Sequence, residues 1–593
     1  MIYIISGIFF LLYYLICLLC LNSDDMLKEI KKEKFRLRWK VILCFIIAFS
    51  AINVFVWIKK NRFVYYWDYS GYWTLCIDRI KYIFENPNAK ILESLINSIN
   101  NDDYNNFLPT ITALPLKLVG YTFVRYVCLV DVLFIIPTAF VQGLIAIKVV
   151  KNPNLSNDTV FCLGSIISLL FSGNYYALMC GYIDVAILLP MSISVYLLLD
   201  YDFSAFNMKK NIAISTMLLM TWISRRYTIY FIVGYVVIFL VEAMFFCYKR
   251  KRNYFISIIK NYIFIGITCF SVLLILFPKF VKKVLLTNYK YMYSAYDSTL
   301  IKKVESLLLS FGIYSIIIVL VCVVLSLLYK QGRELIFCSL CIMAIECVTF
   351  WSTQAMGVQH RMILNVPMFI VYMLPLKYVG YKDKRRKKGS WLLALLSVFL
   401  IISNYCYTFV PQMTNVKEFS GFFSEKYKPL QRNDMDNLNE LAEKLRTLTS
   451  NTNDHIYVSA SGSVLNTDIL RKLKMPYEYD IIPNLEPSCE VDLRDGFPTE
   501  FLHAKYIVTT DPIQLCLESG QEIVRYLASN VRDEKSYIGK HYQKIFSIEL
   551  DNDCVASVYE KKSEYTRSDL KKIKTHFNEM YPNHPELFEE RIY

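Results

Sequence analysis

The chain has 593 residues, 55% of them hydrophobic and 15% aromatic, with a formal net charge of +14. Its apolar residues come in runs of about 20, the length that crosses a hydrocarbon core, and not in the one-sided stripes of soluble helices. From residue 411 onward there are 23 Lys and Arg against 30 Asp and Glu, so the basic excess lies among the apolar runs. This pattern excludes a soluble enzyme and a nucleic-acid-binding protein, and fits short basic loops beside an anionic leaflet.

Residues 2–21 form the first apolar run, followed by the basic stretch Lys28–Lys40. A cleaved signal peptide carries its charges before the run and a small-residue site after it. The order here is reversed and predicts a first span with its N-terminus outside. Further spans are predicted at about 41–58, 122–149, 158–173, 183–200, 211–224, 227–247, 255–277, 306–329, 334–350, 361–379 and 391–409, about twelve in all. With 22–40 in the cytoplasm, strict alternation places the basic connections Lys151–Asn157, Lys209–Lys210, Lys249–Arg252, Lys330–Glu334 and Lys382–Lys388 there too, as the positive-inside rule requires. The outer segments are then 59–121, 174–182, the turn at Arg225 and Arg226, 278–305, 351–360 and everything after about 410. Segment 278–305 breaks the charge rule with Lys279, Lys282, Lys283, Lys290, Lys302 and Lys303. It reads as a solvated juxtamembrane helix or as a loop that closes over an anionic lipid phosphate.

The tail changes character. Residues 432–449 predict an amphipathic helix, His455–Ser459 and Lys505–Thr510 strands, Asn466–Leu473 a helix, and Gln543–Leu550 with Cys554–Glu560 a hairpin. Residues 563–593 predict a charged helix with frayed ends. The expected fold is an all-α polytopic membrane protein with a small C-terminal α/β extracytoplasmic domain. It divides into 1–40 (first helix and basic loop), 41–410 (membrane domain) and 411–593 (soluble domain). Most of the 17 cysteines lie inside apolar runs, and Cys489, Cys516 and Cys554 of the tail form no CxxC. Neither a disulfide framework nor a cysteine metal cluster is expected.

Five short motifs interrupt the apolar pattern. In Tyr65–Trp73, Asp68 stands among six aromatics, including Tyr66, Trp67, Tyr69 and Tyr72, just past the predicted outer end of the second span. A carboxylate there is costly without a task, although the rings alone would make an interfacial belt. A carboxylate stripped of part of its water also gains proton affinity, which suits a general base. In Cys180–Pro190, Tyr182 and Asp184 mark the mouth of another span; the plainer reading of Asp184 is a carboxylate complementing a helix N-terminus. In Thr221–Tyr230, Arg225 and Arg226 split an apolar stretch on the outer side, against the charge rule, and arginine is the preferred partner of phosphate. Asp103, in Asn101–Asn106, could bind sugar hydroxyls or belong to a solvated turn. His360 and Arg361 sit at another outer mouth, as phosphate contacts or as an interfacial pair.

The position and context of Asp68 resemble the first-outer-loop acidic motif of the GT-C glycosyltransferases, a superfamily that includes protein O-mannosyltransferases and lipid A aminoarabinose transferases. Asp184 and the Arg225-Arg226 pair resemble the acidic and basic residues found at comparable helix mouths. The Asp-Glu pair and Asp-x-Asp of the metal-using members are lacking, so a divalent cation is neither required nor excluded. The resemblance implies a catalytic Asp68 with Asp184 beside it, and substrate contacts from Tyr66, Trp67, Tyr69, Tyr72, Asp103, Tyr182, Arg225, Arg226, His360 and Arg361. It implies a polyprenyl-phosphate sugar donor, a cell-surface glycan, lipid or protein acceptor, and an active site on the outer face of a plasma membrane. Two other classes compete: a surface-polysaccharide polymerase and a lipid-linked sugar flippase. A transporter would favour internal repeats and midplane polar groups.

Overall fold

The computed structural model describes residues 2–30, 36–250, 253–380, 384–410, 419, 421–478 and 480–593. Parts of the predicted basic connections (31–35, 251–252, 381–383) and the predicted boundary after 410 lie outside the described residues. The chain divides into two compact units. The first comprises Met1–Lys60, Asp68–Thr287 and Ser298–Pro429; the second comprises Asn61–Trp67, Asn288–Asp297 and Leu430–Tyr593.

The first unit is built of helices. Among the described residues, six helices are long and apolar enough to cross a membrane: Tyr3–Leu21, Leu37–Lys59, Phe123–Val150, Phe255–Leu276, Arg333–Trp351 and Gly389–Phe409. Large apolar side chains such as Leu11, Phe45, Ile267, Leu320 and Phe399 stand exposed on helix faces. Such a surface is a liability in water and the expected one in lipid, so the chain is an integral membrane protein. Other predicted spans coincide with shorter apolar helices, among them Asn157–Leu169, Ile183–Leu198 and Arg226–Val241. Inward-facing polar groups tie neighbours together. Ser50 bonds Tyr175 at 2.6 Å, and the Asp24 carboxylate receives both Lys148 and Lys210 at 2.8 Å.

The span predicted at 306–329 is not one straight helix. Leu300–Phe311 and Ile313–Tyr329 meet at 84°. Gly312 makes the bend at φ +75°, and a Cβ there would lie 2.6 Å from the Ser424 backbone nitrogen. Tyr314 donates its N–H to the Phe422 carbonyl at 3.0 Å, so the backbone beyond 420 takes over bonding that a continuous helix would have supplied itself.

The second unit holds a four-stranded sheet of β1 (Ile456–Ser459), β2 (Tyr506–Asp511), β3 (Tyr542–Leu550) and β4 (Cys554–Lys561), in the order β1-β2-β4-β3. β1 and β2 run parallel, and the remaining pairs are antiparallel. The β3–β4 hairpin turns through Asn552 and Asp553, both left-handed, a conformation their short polar side chains tolerate. The predicted fraying of 563–593 does not occur. A capping box of Thr566 and Asp569 starts the helix Arg567–Met580, and Ile573, Phe577, Phe588 and Ile592 enter the core with Phe501, Leu527 and Val531. The unit also takes in two segments predicted as loops of the membrane part. Arg62 donates its N–H to the Leu430 carbonyl at 2.9 Å, and the Tyr291 hydroxyl bonds the His584 ring.

Candidate functional site

Within the first unit, four segments far apart in sequence bring their polar side chains together. The first is the helix Asp68–Glu85, whose first residue is Asp68. A carboxylate at this position complements the helix dipole. Asp68 is half-buried, not sealed among rings as its aromatic context suggests. Its Oδ1 accepts a hydrogen bond from the Tyr104 hydroxyl at 3.0 Å. One turn on, Tyr72 is buried, and its hydroxyl has no hydrogen-bond partner among the described residues.

Tyr104 is held by its own neighbours. Asn105 bonds the Ile223 carbonyl at 2.8 Å, and Asn100 accepts the Lys279 N–H at 3.1 Å. The turn between the helices Ile91–Asn101 and Phe107–Val119 is thereby pinned at both ends.

Arg225 sits in extended backbone between the helix Met208–Ser224 and the short turn Arg226–Thr228. Its guanidinium lies 4.6 Å from the Tyr72 ring centre, 5.2 Å from that of Tyr104 and 5.8 Å from that of Tyr227. Such a cage favours a planar, weakly hydrated cation. Arg225 Nε donates to Asp184 Oδ1 at 2.7 Å, with the Asp184 side chain fully buried. The Tyr227 hydroxyl lies between Asp184 Oδ1, at 3.0 Å, and the Gln359 carbonyl, at 3.1 Å. Asp184 Oδ2 is buried and has no hydrogen-bond partner among the described residues. Burial lowers the proton affinity of Arg225 against the opposing pull of Tyr227 and Asp68, so Asp68 acts on the guanidinium. Burial and then Asp68 also raise the Tyr182 phenol, and the Tyr182 ring meets that of Tyr69 edge-on at 6.3 Å.

Gly181 explains how Asp68 and Asp184 come close. It has φ +81°, and a Cβ would stand 2.5 Å from the Tyr69 carbonyl oxygen and 2.7 Å from the Phe123 ring. Only glycine lets the first turn of the Asp68 helix settle against the 181–184 turn. Gly181→Ala is expected to force the first turn of the Asp68 helix away from the 181–184 turn and to lower the apparent melting temperature in detergent, which a thermal melt of the purified variant checks.

Beside this cluster, Arg226 Nη1 reaches Asp103 Oδ1 at 3.0 Å, and Lys283 Nζ reaches the same oxygen. Burial opposes the Asp103 charge, but Lys283 and Arg226 outweigh it and hold the carboxyl below the usual range. His360 packs edge-on against Tyr227 at 4.8 Å. Burial, then Arg225 and Arg361, push it down to about 3, so the ring is neutral near pH 7. Its Nδ1 accepts the Gly357 N–H at 3.1 Å, which leaves the proton on Nε2.

Arg361 turns to the Ser306 and Ser310 hydroxyls of the helix Leu300–Phe311. Tyr66 and Trp67 belong to the second unit. There Trp67, at φ +45°, donates its N–H to the Asp468 carboxylate. Tyr104, Tyr227 and Lys283 complete the cluster although none was singled out as a site residue. The two tyrosines each adjoin a predicted charge but, as two among 45, carry no distinguishing signal, whereas Lys283 belongs to the lysine-rich segment 278–305 that reads as a solvated helix or as a loop closing on a phosphate. Among the described residues, no three His, Cys, Asp or Glu side chains gather where they could hold a metal ion. No model of a known protein family matches the chain, and no curated protein matches it.

Proposed function

We propose that this protein is a membrane glycosyltransferase that moves a sugar from a polyprenyl-phosphate donor to a hydroxyl-bearing acceptor on the extracytoplasmic face, with inversion. The observation that carries the reading is the meeting of Asp68, Asp184, Arg225 and Arg226, drawn from three distant stretches, in one unit of a membrane protein. The site contains one half-exposed carboxylate, one buried carboxylate with an unused oxygen, and cations fixed by neighbouring groups. Asp68 takes the proton of the acceptor hydroxyl, whose oxygen attacks the anomeric carbon as the bond to the donor phosphate breaks. The phosphate leaves with one more negative charge, which Arg226, Lys283 and the caged Arg225 neutralise. Asp184 holds Arg225 in place and offers Oδ2 to a sugar hydroxyl. The membrane lipid solvates the donor's polyprenyl chain. The neutral His360 can donate from Nε2 without adding charge.

Turnover of a panel of radiolabelled polyprenyl-phosphate sugars by purified protein, with and without EDTA, tests the reading. Transfer of one of them supports it, and the EDTA arm reports metal dependence. Failure of the whole panel with acceptor glycans, lipids and peptides present would count against it. One observation favours a second reading. Glu346, in the membrane-length helix Arg333–Trp351, is fully buried with neither carboxylate oxygen hydrogen-bonded by any of the described residues. An intramembrane carboxylate of this kind suits a transporter. Cysteine-accessibility labelling at positions 68 and 225 separates the two: reaction from one face only fits the transferase, and reaction from both faces fits alternating access.

A further inference from the structure

The Asp103 carboxylate occupies the place an anion would take. Arg226 and Lys283 come from different elements, the turn after Met208–Ser224 and the helix Pro278–Leu286, yet both address one oxygen, Asp103 Oδ1. Two cations converging on one oxyanion is the geometry of a phosphate subsite. The two cationic side chains are largely covered, whereas the Asp103 side chain is 49% exposed. The backbone around it is fixed independently by Asn100 and Asn105, so releasing the carboxylate does not dismantle the turn. Arg225, the neighbour of Arg226 in the chain, is paired with Asp184.

We propose that Asp103 is a specificity-determining residue that fills the phosphate subsite while it is empty and yields Arg226 and Lys283 only to an anion that outcompetes a carboxylate. The lipid phosphate released by transfer does so, because as a monoester it has three non-bridging oxygens to share between two cations and close to two negative charges, whereas the sugar-bearing donor is a diester with a single charge. Carboxylate-bearing lipids do not, because they offer nothing Asp103 does not already supply. The same carboxylate stands ready to retake the cations when the spent lipid phosphate departs. This inference rests on the donor-phosphate reading given above.

The test is binding without turnover, with full-length protein in nanodiscs, farnesyl phosphate as the probe and farnesol as the phosphate-free control. Asp103→Asn and Asp103→Ala are each expected to bind farnesyl phosphate about tenfold tighter than wild type, as follows when an internal occupant keeps about nine sites in ten closed. The gain should vanish when Arg226→Ala is added. Wild-type binding with no gain in either Asp103 variant overturns the occupant role and leaves the donor reading standing. A gain that survives Arg226→Ala, or that appears equally with farnesol, also overturns it. Absence of farnesyl phosphate binding in wild type and both variants overturns the donor-phosphate reading and this inference with it.

Discussion

Asp68→Asn is expected to lower the proposed transfer about 1,000-fold while donor affinity and thermal stability stay close to wild type. The magnitude is that of a lost general base, which contributes roughly 100- to 10,000-fold. Asparagine keeps the shape of the side chain and an oxygen that still accepts from the Tyr104 hydroxyl. The structural loss is a charge–dipole term at the start of the helix, about 0.3–1 kcal/mol, together with the pull of the carboxylate on the Arg225 guanidinium. Single-turnover transfer of a radiolabelled donor measures the effect, and a farnesyl phosphate titration measures affinity. An Asn variant with full activity would remove Asp68 from catalysis. The pH profile adds a second check. His360 is held neutral down to about pH 3 by burial, Arg225 and Arg361. His360→Gln is therefore expected to leave the shape of the rate profile between pH 5 and 8 unchanged. An acid limb lost in that variant would show that the imidazole titrates in the working range.

The two parts of this molecule differed in how much their residue patterns disclosed. A run of 18 or more apolar residues admits few alternatives, so Tyr3–Leu21, Leu37–Lys59 and Phe255–Leu276 were legible from hydropathy alone. The 84° bend at Gly312 was not, because it depends on backbone bonds to residues more than a hundred positions away. The strands and hairpin of the tail followed from their alternation and turn residues. The amphipathic helix Glu522–Arg532, which buries Ile523, Leu527 and Val531 beside the sheet, was passed over between stronger signals. The assignment of 61–67 and 288–297 to the tail's unit was invisible for the same reason as the bend: their partners, such as Leu430 and His584, are hundreds of residues distant. At the site, Asp68, Asp184 and Arg225 stood out because each interrupts apolar surroundings that penalise charge. Their pairing could not be read from spacing. Asp184 meets Arg225 across 41 residues, and Asp103 meets Lys283 across 180, through helix packing alone. Arg361 shows the converse, since an arginine at a helix mouth with the same local signature spends its donors on two serines.

The Arg225–Asp184 pair carries the other large expected effect. Both side chains are buried, and their 2.7 Å contact is charge-assisted. Removing one partner strands the other's charge in a site with little water, which typically costs about 3–5 kcal/mol. Arg225→Ala and Asp184→Ala are thus each expected to lower the apparent melting temperature in detergent sharply and to abolish transfer. Arg225→Lys is not a conservative change here. It keeps the charge but loses the Nε geometry and the flat face set among Tyr72, Tyr104 and Tyr227. The informative variant is the double substitution Asp184→Asn with Arg225→Gln, which removes both charges while keeping two amides able to bond each other. It should recover most of the melting temperature lost by either alanine variant and none of the transfer activity. Replacing a buried pair by a neutral one costs far less than breaking it, whereas charge developing on a leaving phosphate still needs its cation. A double variant as unstable as the single ones would mean that the pair is not the coupled unit. One that regained both stability and activity would mean that Arg225 serves packing and that the phosphate is neutralised elsewhere, leaving Arg226 and Lys283 as the cations to test next.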